Sequence, residues 1–369
     1  VDNARLIDAL PNLTWAFTSE WAGYPQGLPA VLAGKVSFMI QLENSDKPLG
    51  SSIANVENLK DQIEVCSLIA GGDEELRRRP FFFGSVEPIS PLVHGRDALE
   101  KTLVLAGHGL PNVVYSMPMA GATAPATFAG TLAVMNAELL SHLTVIQLKR
   151  ESAPMIYGAM PNIIDMRTTI YPYGAPELNL LVGAATELAH SYNLPMLGTA
   201  GCTDAKVIGV QAGLEVASQC VSSALFGANM VHDVGLMDHA TMISPELMVL
   251  TDEIIRMTGV MLRSLETDDD SLALDLIWKV GPGGSYLAED HTLDHFRSFW
   301  APEILDRTRG PKPGSPGSAV HSEGLLREKT LKLIAGHTPK TLEEGLLGEI
   351  KKMEKSWFER LGLDHVYPE

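Results

Sequence analysis

Leu194-Pro195-Met196-Leu197-Gly198 runs through Thr199-Ala200 into Gly201-Cys202-Thr203-Asp204-Ala205-Lys206, and a helical pattern starts near Gln211. A short apolar run, a loop of small and polar residues and then a helix make one step of a parallel α/β fold. In such folds the loops that follow strands carry the chemistry. Asp204 and Lys206 thus become candidates for it, although an aspartate that caps a helix beside a solvated lysine accounts for the segment equally well.

The same step recurs in both directions from this stretch. Apolar runs at Asn12–Phe17, Pro80–Val86, Asn112–Met117, Met155–Gly158, Pro195–Gly198 and Ala228–Val234 read as strands, and Pro48-Leu49-Gly50 closes a further one. Helical patterns at Val56–Ala70, Gly95–His108, Ala124–Gln147, Pro176–Ser191, Gln211–Leu225 and Ser244–Leu262 alternate with them. Pro176-Glu177 and Ser244-Pro245-Glu246 mark helix starts, with proline in the first turn, an acid beside it and Ser244 as N-cap. The fold class expected is α/β, a (β/α)8 TIM-type barrel with additional C-terminal helices, its eighth strand near Leu265 or ahead of the first. Residues 1–265 form the barrel in this reading. Residues 266–369 form a helical extension packed on it, with helices at Leu272–Val280, Ser322–Ile334 and Leu342–Leu361 and a Gly- and Pro-rich strap at Arg307–Ser318. The first strand is not followed by GxGxxG, and no GxxxxGK[ST] occurs, which disfavours dinucleotide-binding and P-loop folds.

The 369 residues carry a net charge of -17, which repels nucleic acid and anionic membranes. Cys66, Cys202 and Cys220 make neither a disulfide framework nor a zinc module, and a reducing cytoplasm is the expected location. Ala126–Leu143 approaches the length of a membrane span, but Asn136, Glu138 and His142 interrupt it and a nearly buried helix fits better. The chain begins at Val1 rather than Met, and a longer native N-terminus is expected.

Several strand ends lead into polar or small-residue loops. The small residues of Ser116–Thr123 let a ligand approach the backbone, or equally let a helix start pack tightly. Asp165-Met166-Arg167-Thr168 holds an arginine able to grip a carboxylate, or a plain loop ion pair. His232-Asp233-Val234-Gly235 with Asp238-His239 matches no strong zinc spacing, so no metal is expected and His232 is the pocket candidate. In His291–Trp300, a helical face would align His291, His295 and Phe299, either docking the C-terminal helices or closing a pocket. There is no GxSxG and no paired-carboxylate pattern.

Gly121-Ala122-Thr123 with Pro125 and Thr127, Asn136-Ala137-Glu138, Asp165-Met166-Arg167-Thr168, Thr203-Asp204-Ala205-Lys206 with Gln211-Ala212-Gly213, His232-Asp233-Val234-Gly235, Val280-Gly281-Pro282-Gly283-Gly284 and His291-Thr292 with His295-Phe296-Arg297 occur in order. Together they resemble the trimethylamine methyltransferase superfamily of corrinoid-dependent enzymes, from about Arg5 onward. The resemblance implies an N-terminal segment ahead of Val1. Founding members carry pyrrolysine in the active site, and counting back from the C-terminus puts that position at or close to Lys206. An ordinary lysine there implies the branch that is similar to glycine betaine methyltransferases, acting on quaternary amines.

The implied reaction moves a methyl group to the Co(I) corrinoid (cobalamin) of a separate cognate corrinoid protein. No cofactor would be tightly bound, and the enzyme would self-associate as a homo-oligomer. Lys206, Asp204 and His232 are the catalytic candidates. Tyr115, Tyr157, Phe296 and Trp300 are candidates for an aromatic cage around the cation. Arg167, with His232 and Lys206, is a candidate for the substrate carboxylate, and His295 for closing the pocket. Two other readings stay open: a barrel enzyme using Lys206 as a Schiff-base lysine, and a non-catalytic quaternary-amine-binding protein.

Overall fold

The computed structural model describes residues 1–18, 28–307, 322–340 and 342–365. Apart from Arg307, the strap expected at Arg307–Ser318 lies outside the described residues. Seven parallel strands form one sheet in simple sequence order: β1 (Ala16–Thr18), β2 (Leu49–Ser52), β3 (Phe82–Val86), β4 (Asn112–Ser116), β5 (Met155–Ala159), β6 (Met196–Thr199) and β7 (Met230–His232). The longest register runs from Asn112 opposite Met155 to Ser116 opposite Ala159. Each strand is short, and β4, β5 and β6 are buried at every position, as a sheet covered on both faces requires. Pro48-Leu49-Gly50, expected to close a strand, instead opens β2.

Helices return the chain between strands, and their ends follow from local sequence. Asn55 caps Val56–Ala70 by accepting the Asn58 N–H at 2.9 Å, and Gly71 ends that helix in the left-handed conformation. Ser244 caps Pro245–Met261 by accepting the Leu247 N–H at 3.1 Å. Helix Phe128–Lys149 is apolar and long enough to cross a membrane by length and composition, yet here Met135, Leu139 and Ile146 pack into the core formed with β4 and β5. Helix Ala30–Asn44 was not legible as a helix, because it is apolar around most of its circumference and has no amphipathic stripe to mark it.

The sheet curls into a nearly closed barrel of TIM type. Among the described residues no ladder joins β1 to β7; the gap is spanned by side chains, Phe17 stacking on His232 with ring centroids 6.3 Å apart. The eighth strand expected near Leu265 is absent from that position. Leu265 lies in coil and is 90% exposed, and the stretch leads into Asp268-Asp269-Asp270, which favours a capped turn over a strand.

Beyond the barrel, Leu272–Val280 is two short helices, Asp269–Leu272 and Leu274–Val280, which bury none of their residues. Helices Ser322–Gly336 and Glu344–Glu359 do pack back. Leu326 joins the core of helix Asp2–Ala9 and helix Pro245–Met261. Ile350, Trp357 and Phe358 enter the core under β2 and β3. That junction holds a buried ion pair between Lys35 and Asp61. Arg360 adds a second bond to Asp61 at 2.7 Å, and the Lys35 ammonium sits 5.3 Å from the Trp357 ring centroid. Removing one partner of a buried pair strands the other charge, at a cost of about 3–5 kcal/mol. Asp61→Ala should therefore lower unfolding stability by about that amount, measured by denaturant titration, whereas Glu57→Ala at the exposed end of the same cluster should change it by less than about 1 kcal/mol. Equal losses from the two would refute this account of the junction.

Candidate functional site

All seven strands point the same way, so their C-terminal ends surround one cavity of about 1310 Å3. It is lined by Trp15 just ahead of β1, Phe17 within it, Glu87 after β3, Tyr115 from β4, Met160 after β5, and His232 and Asp233 at the end of β7. The cavity also reaches into the gap between β1 and β7, where Thr258 and Leu262 at the end of helix Pro245–Met261 form its wall.

His232 stands at the centre of a relay. Its Nδ1 lies 2.5 Å from Asp233 Oδ1, and its Nε2 is hydrogen-bonded to the Tyr115 hydroxyl across the barrel. Asp233 has a φ of 76°, a left-handed conformation that aspartate tolerates better than most residues. Its second oxygen accepts the Thr199 hydroxyl at 2.7 Å, so both ends of the carboxylate are fixed. The Tyr115 hydroxyl donates to Met160 Sδ at 2.8 Å, so the tyrosine bridges the histidine and a thioether of the wall. The Tyr115 ring has space because β5 carries Gly158 beside it; a Cβ there would collide with the ring.

Asp204 and Lys206 sit on the rim. Asp204 accepts the backbone N–H groups of Tyr173 and Gly174 at 2.8 and 2.9 Å, and His239 Nδ1 lies 2.9 Å from it. It therefore anchors the loop that carries Tyr173 into the cavity wall. Glu215 braces the same turn by accepting the Thr203 hydroxyl and the Asp204 N–H. Gly201 opens the turn with a φ of +85°, closely packed against Thr251 and Val234. Lys206 is 60% exposed, paired with Asp238 at 2.9 Å, and outside the cavity lining. Cys202 is buried, and that burial pushes its thiol well above the usual range, away from nucleophilic use.

The remaining residues singled out from the sequence are dispersed. Tyr157 is buried between β5 and helix Phe128–Lys149, donating its hydroxyl to Asn136 at 2.9 Å on the outer side of the sheet. Arg167 is exposed in a loop where Asp165 accepts its backbone N–H at 2.8 Å. Phe296 is 44% exposed. His295 lies against His291 with ring centroids 4.2 Å apart, and Trp300 lies under the Arg307 guanidinium at 4.8 Å. None of these five lines the cavity. Among the described residues no cluster of His, Cys, Asp and Glu is arranged to hold a metal ion: His239 is engaged by Asp204 and Asp238 by Lys206.

The sequence reading missed Trp15, Phe17, Glu87 and Tyr173 as site residues. Glu87 had a usable signal, since it directly follows the apolar run ending at Val86. Enclosure in the cavity raises its carboxyl above the ordinary range; His232 opposes that shift and Asp233 adds to it.

A model of the family described as "Trimethylamine methyltransferase (MTTB)" matches residues 32–352. The chain belongs to this methyltransferase family. It is 32% identical over 286 residues to the glycine betaine methyltransferase of Desulfitobacterium hafniense strain Y51, covering 77% of this chain and 60% of that protein. It is 29% identical over 339 residues to the trimethylamine methyltransferase MttB of D. hafniense strain DCB-2, covering 92% and 68%. With the MttB2 protein of Methanosarcina mazei the identity is 31% over 355 residues, covering 95% and 70%. The chain thus spans 60% to 70% of the length of these curated relatives. Family membership makes the barrel cavity, at the strand ends where such folds work, the candidate active site.

Behind the cavity, buried Glu138 accepts the Ser116 hydroxyl at 2.6 Å and the Leu92 N–H at 2.8 Å, tying β4 to the loop after β3. One turn along the same helix, His142 is fully buried with its ring 4.3 Å from that of His94. Burial first, and His94 second, lower its pKa from 6.5 to about 4, against the opposing bond to the Glu138 carbonyl. The unfolded chain binds this proton below pH 6.5 and the folded one only below about 4. The contribution to stability is complete above the unfolded value and is lost as the pH falls from 6.5 to about 4, by up to about 3 kcal/mol. Unfolding titrations across this window should give a slope that His142→Gln reduces; an unchanged slope would rule His142 out as its source.

Proposed function

We propose that this protein moves a methyl group from a quaternary amine to the Co(I) corrinoid of a separate corrinoid protein. The observation that carries the reading is the aromatic and thioether-lined cavity at the strand ends, closed on one side by the Asp233–His232–Tyr115 relay, in a chain of this family. Glycine betaine is the first substrate to test. A relative 32% identical is named for it, and the resemblance read from the sequence implies that ordinary Lys206 stands at or near the position where founding members carry pyrrolysine.

The chemistry suits such a cavity. A quaternary nitrogen already bears positive charge, so its amine can leave once the methyl group is displaced in line. Charge falls on both partners as the bond changes hands, and weakly polar walls therefore favour the transition state over the separated ions. The protein's part is to strip water from the ammonium, hold it and aim one N-methyl group. Tyr115, Trp15 and Phe17 supply aromatic faces for the cation. His232, clamped by Asp233, fixes the Tyr115 ring and orients the substrate. Arg167 and Lys206 lie outside the cavity lining and would serve a substrate carboxylate only beyond its outer edge, while Asp204 holds the rim in shape. His295, Phe296 and Trp300 would act from the C-terminal extension only if it approached the cavity, and Tyr157 would act from behind the sheet.

The corrinoid is a substrate delivered by its carrier and enters from the open rim. An eighth strand seated between β1 and β7 would complete a (β/α)8 barrel. The division at about residue 265, a cytoplasmic location and assembly into a homo-oligomer complete the proposal. No specific observation favours the Schiff-base reading, because Lys206 is ion-paired and outside the lining. The binding-protein reading likewise has no observation of its own.

The test is a methyl-transfer assay with reduced corrinoid protein and glycine betaine, proline betaine, carnitine or trimethylamine, followed by the corrinoid's visible spectrum. A quaternary amine should methylate the corrinoid, and absence of transfer from the whole panel would sink the proposal. His232→Ala should then lower kcat/KM by about a hundredfold through misplacement of the bound methyl group. Unchanged kinetics in a folded variant would remove His232 from this role.

A further inference from the structure

The cavity contains more charge than the relay uses, and nearly all of it is neutralised internally. Lys101 reaches the lining with its ammonium 2.7 Å from Asp97 and donates to the Ile53 carbonyl at 2.7 Å. Asp233 is held by His232 and Thr199, and His239 by Asp204. Glu87 differs. Among the described residues it is the one charged side chain of the lining that no hydrogen bond or ion pair holds, and it is exposed to the cavity. It leaves β3 beside the other components of the wall. His232 and Lys101 act on its charge, and it acts in turn on the Tyr173 hydroxyl. Tyr115 and Phe17 surround the same histidine, with ring centroids 4.6 and 6.3 Å from it. Trp15 continues the aromatic wall, edge-on to Phe17 at 6.1 Å and to Phe83 at 5.2 Å.

An unpaired carboxylate among aromatic rings is complementary to one ligand chemistry, a bulky organic cation too encumbered to donate hydrogen bonds. The rings meet its methyl groups and the carboxylate balances its charge without needing a donor. The geometry points to Glu87 as the residue that holds the quaternary ammonium group, with Tyr173 beside it in the lining and the Tyr115 and Phe17 rings around the neighbouring His232. This rests on the quaternary-amine reading above and adds to it the cation subsite and the residue that distinguishes the cation from a neutral look-alike.

The charge argument also fixes the kinetic signature. The nitrogen is fully cationic in the bound substrate and loses charge as the methyl group leaves. A carboxylate beside it therefore stabilises the bound ground state at least as strongly as the transition state. Glu87 should act on KM and not on kcat.

The experiment compares the wild type with Glu87→Gln, which preserves size and breaks no bond. Binding is measured by calorimetry for two cation–isostere pairs: glycine betaine against 3,3-dimethylbutanoate, and choline against 3,3-dimethylbutanol. In the wild type at least one cation should bind about tenfold or more tighter than its carbon isostere, and in Glu87→Gln that ratio should fall to about twofold. With an active corrinoid partner, KM should rise about tenfold while kcat stays level or increases. A ratio unchanged in the folded variant, or a loss confined to kcat, overturns the role of Glu87 and leaves methyl transfer standing. A wild type that binds none of the cations overturns both.

Discussion

A parallel strand ends on the far side of the sheet from where its successor must begin, so a crossover has to bring the chain back each time. Everything else in this protein depends on that constraint. It spaces the strands along the sequence and puts a helix outside each interval. It also delivers the C-terminal ends of β1 to β7 to one rim. Residues as far apart in sequence as Phe17, Glu87, Tyr115 and His232 meet there because the topology leaves each of their strands no other direction. The chemistry of the site is thus assembled from single residues on separate βα units, and no contiguous motif contains it.

The incomplete closure of the sheet shapes the site as much as the strands do. β7 is half-buried along its whole length, unlike the fully buried β4 and β5. Among the described residues β1 and β7 are joined by Phe17 and His232 rather than by a ladder, and the cavity spreads sideways into the gap as far as helix Pro245–Met261. His232 therefore has two duties: it closes the barrel through its ring face and organises the cavity through its two nitrogens. Its two nitrogens are accordingly fixed from both sides, by Asp233, whose carboxylate Thr199 holds, and by the Tyr115 hydroxyl.

The strand–helix rhythm was legible because period and punctuation are local properties. Ser244, Pro176 and the apolar runs of β3 to β6 declare themselves within a few residues. Helix Ala30–Asn44 was not legible, since burial on several sides erases the stripe on which a periodicity argument relies. For the site, sequence placement led to His232 and Tyr115, which the fold brings together, and to Asp204, which it makes a brace for the Tyr173 loop. The same reasoning favoured Tyr157, Phe296 and Trp300 for their aromatic character. Aromatic character carries no information about which face of a strand a ring occupies or whether a C-terminal helix reaches the rim. Tyr157 illustrates the first limit: one residue along β5 would have moved its ring to the opposite face. Trp15, just ahead of β1, and Phe17 within it illustrate the converse, because the neighbours of this short strand in space are set by the closure of the barrel.

Charge acts here on two length scales. The net charge of -17 draws cations towards the protein without orienting them, and salt weakens this attraction beyond about a Debye length of 8 Å. Inside the cavity the situation is reversed. Asp97 and Asp233 in the lining are each matched by a neighbour, so the field is set by local pairing and scarcely at all by the overall excess of acids. A weakly polar wall is a poor place for an isolated ion, and a carboxylate left unmatched there has to draw its compensation from whatever enters. Among the described charged residues of the lining only Glu87 is left unmatched, and the aromatic rings of the same lining make the cavity weakly polar, a setting that strengthens the attraction of an unmatched charge for any cation that enters.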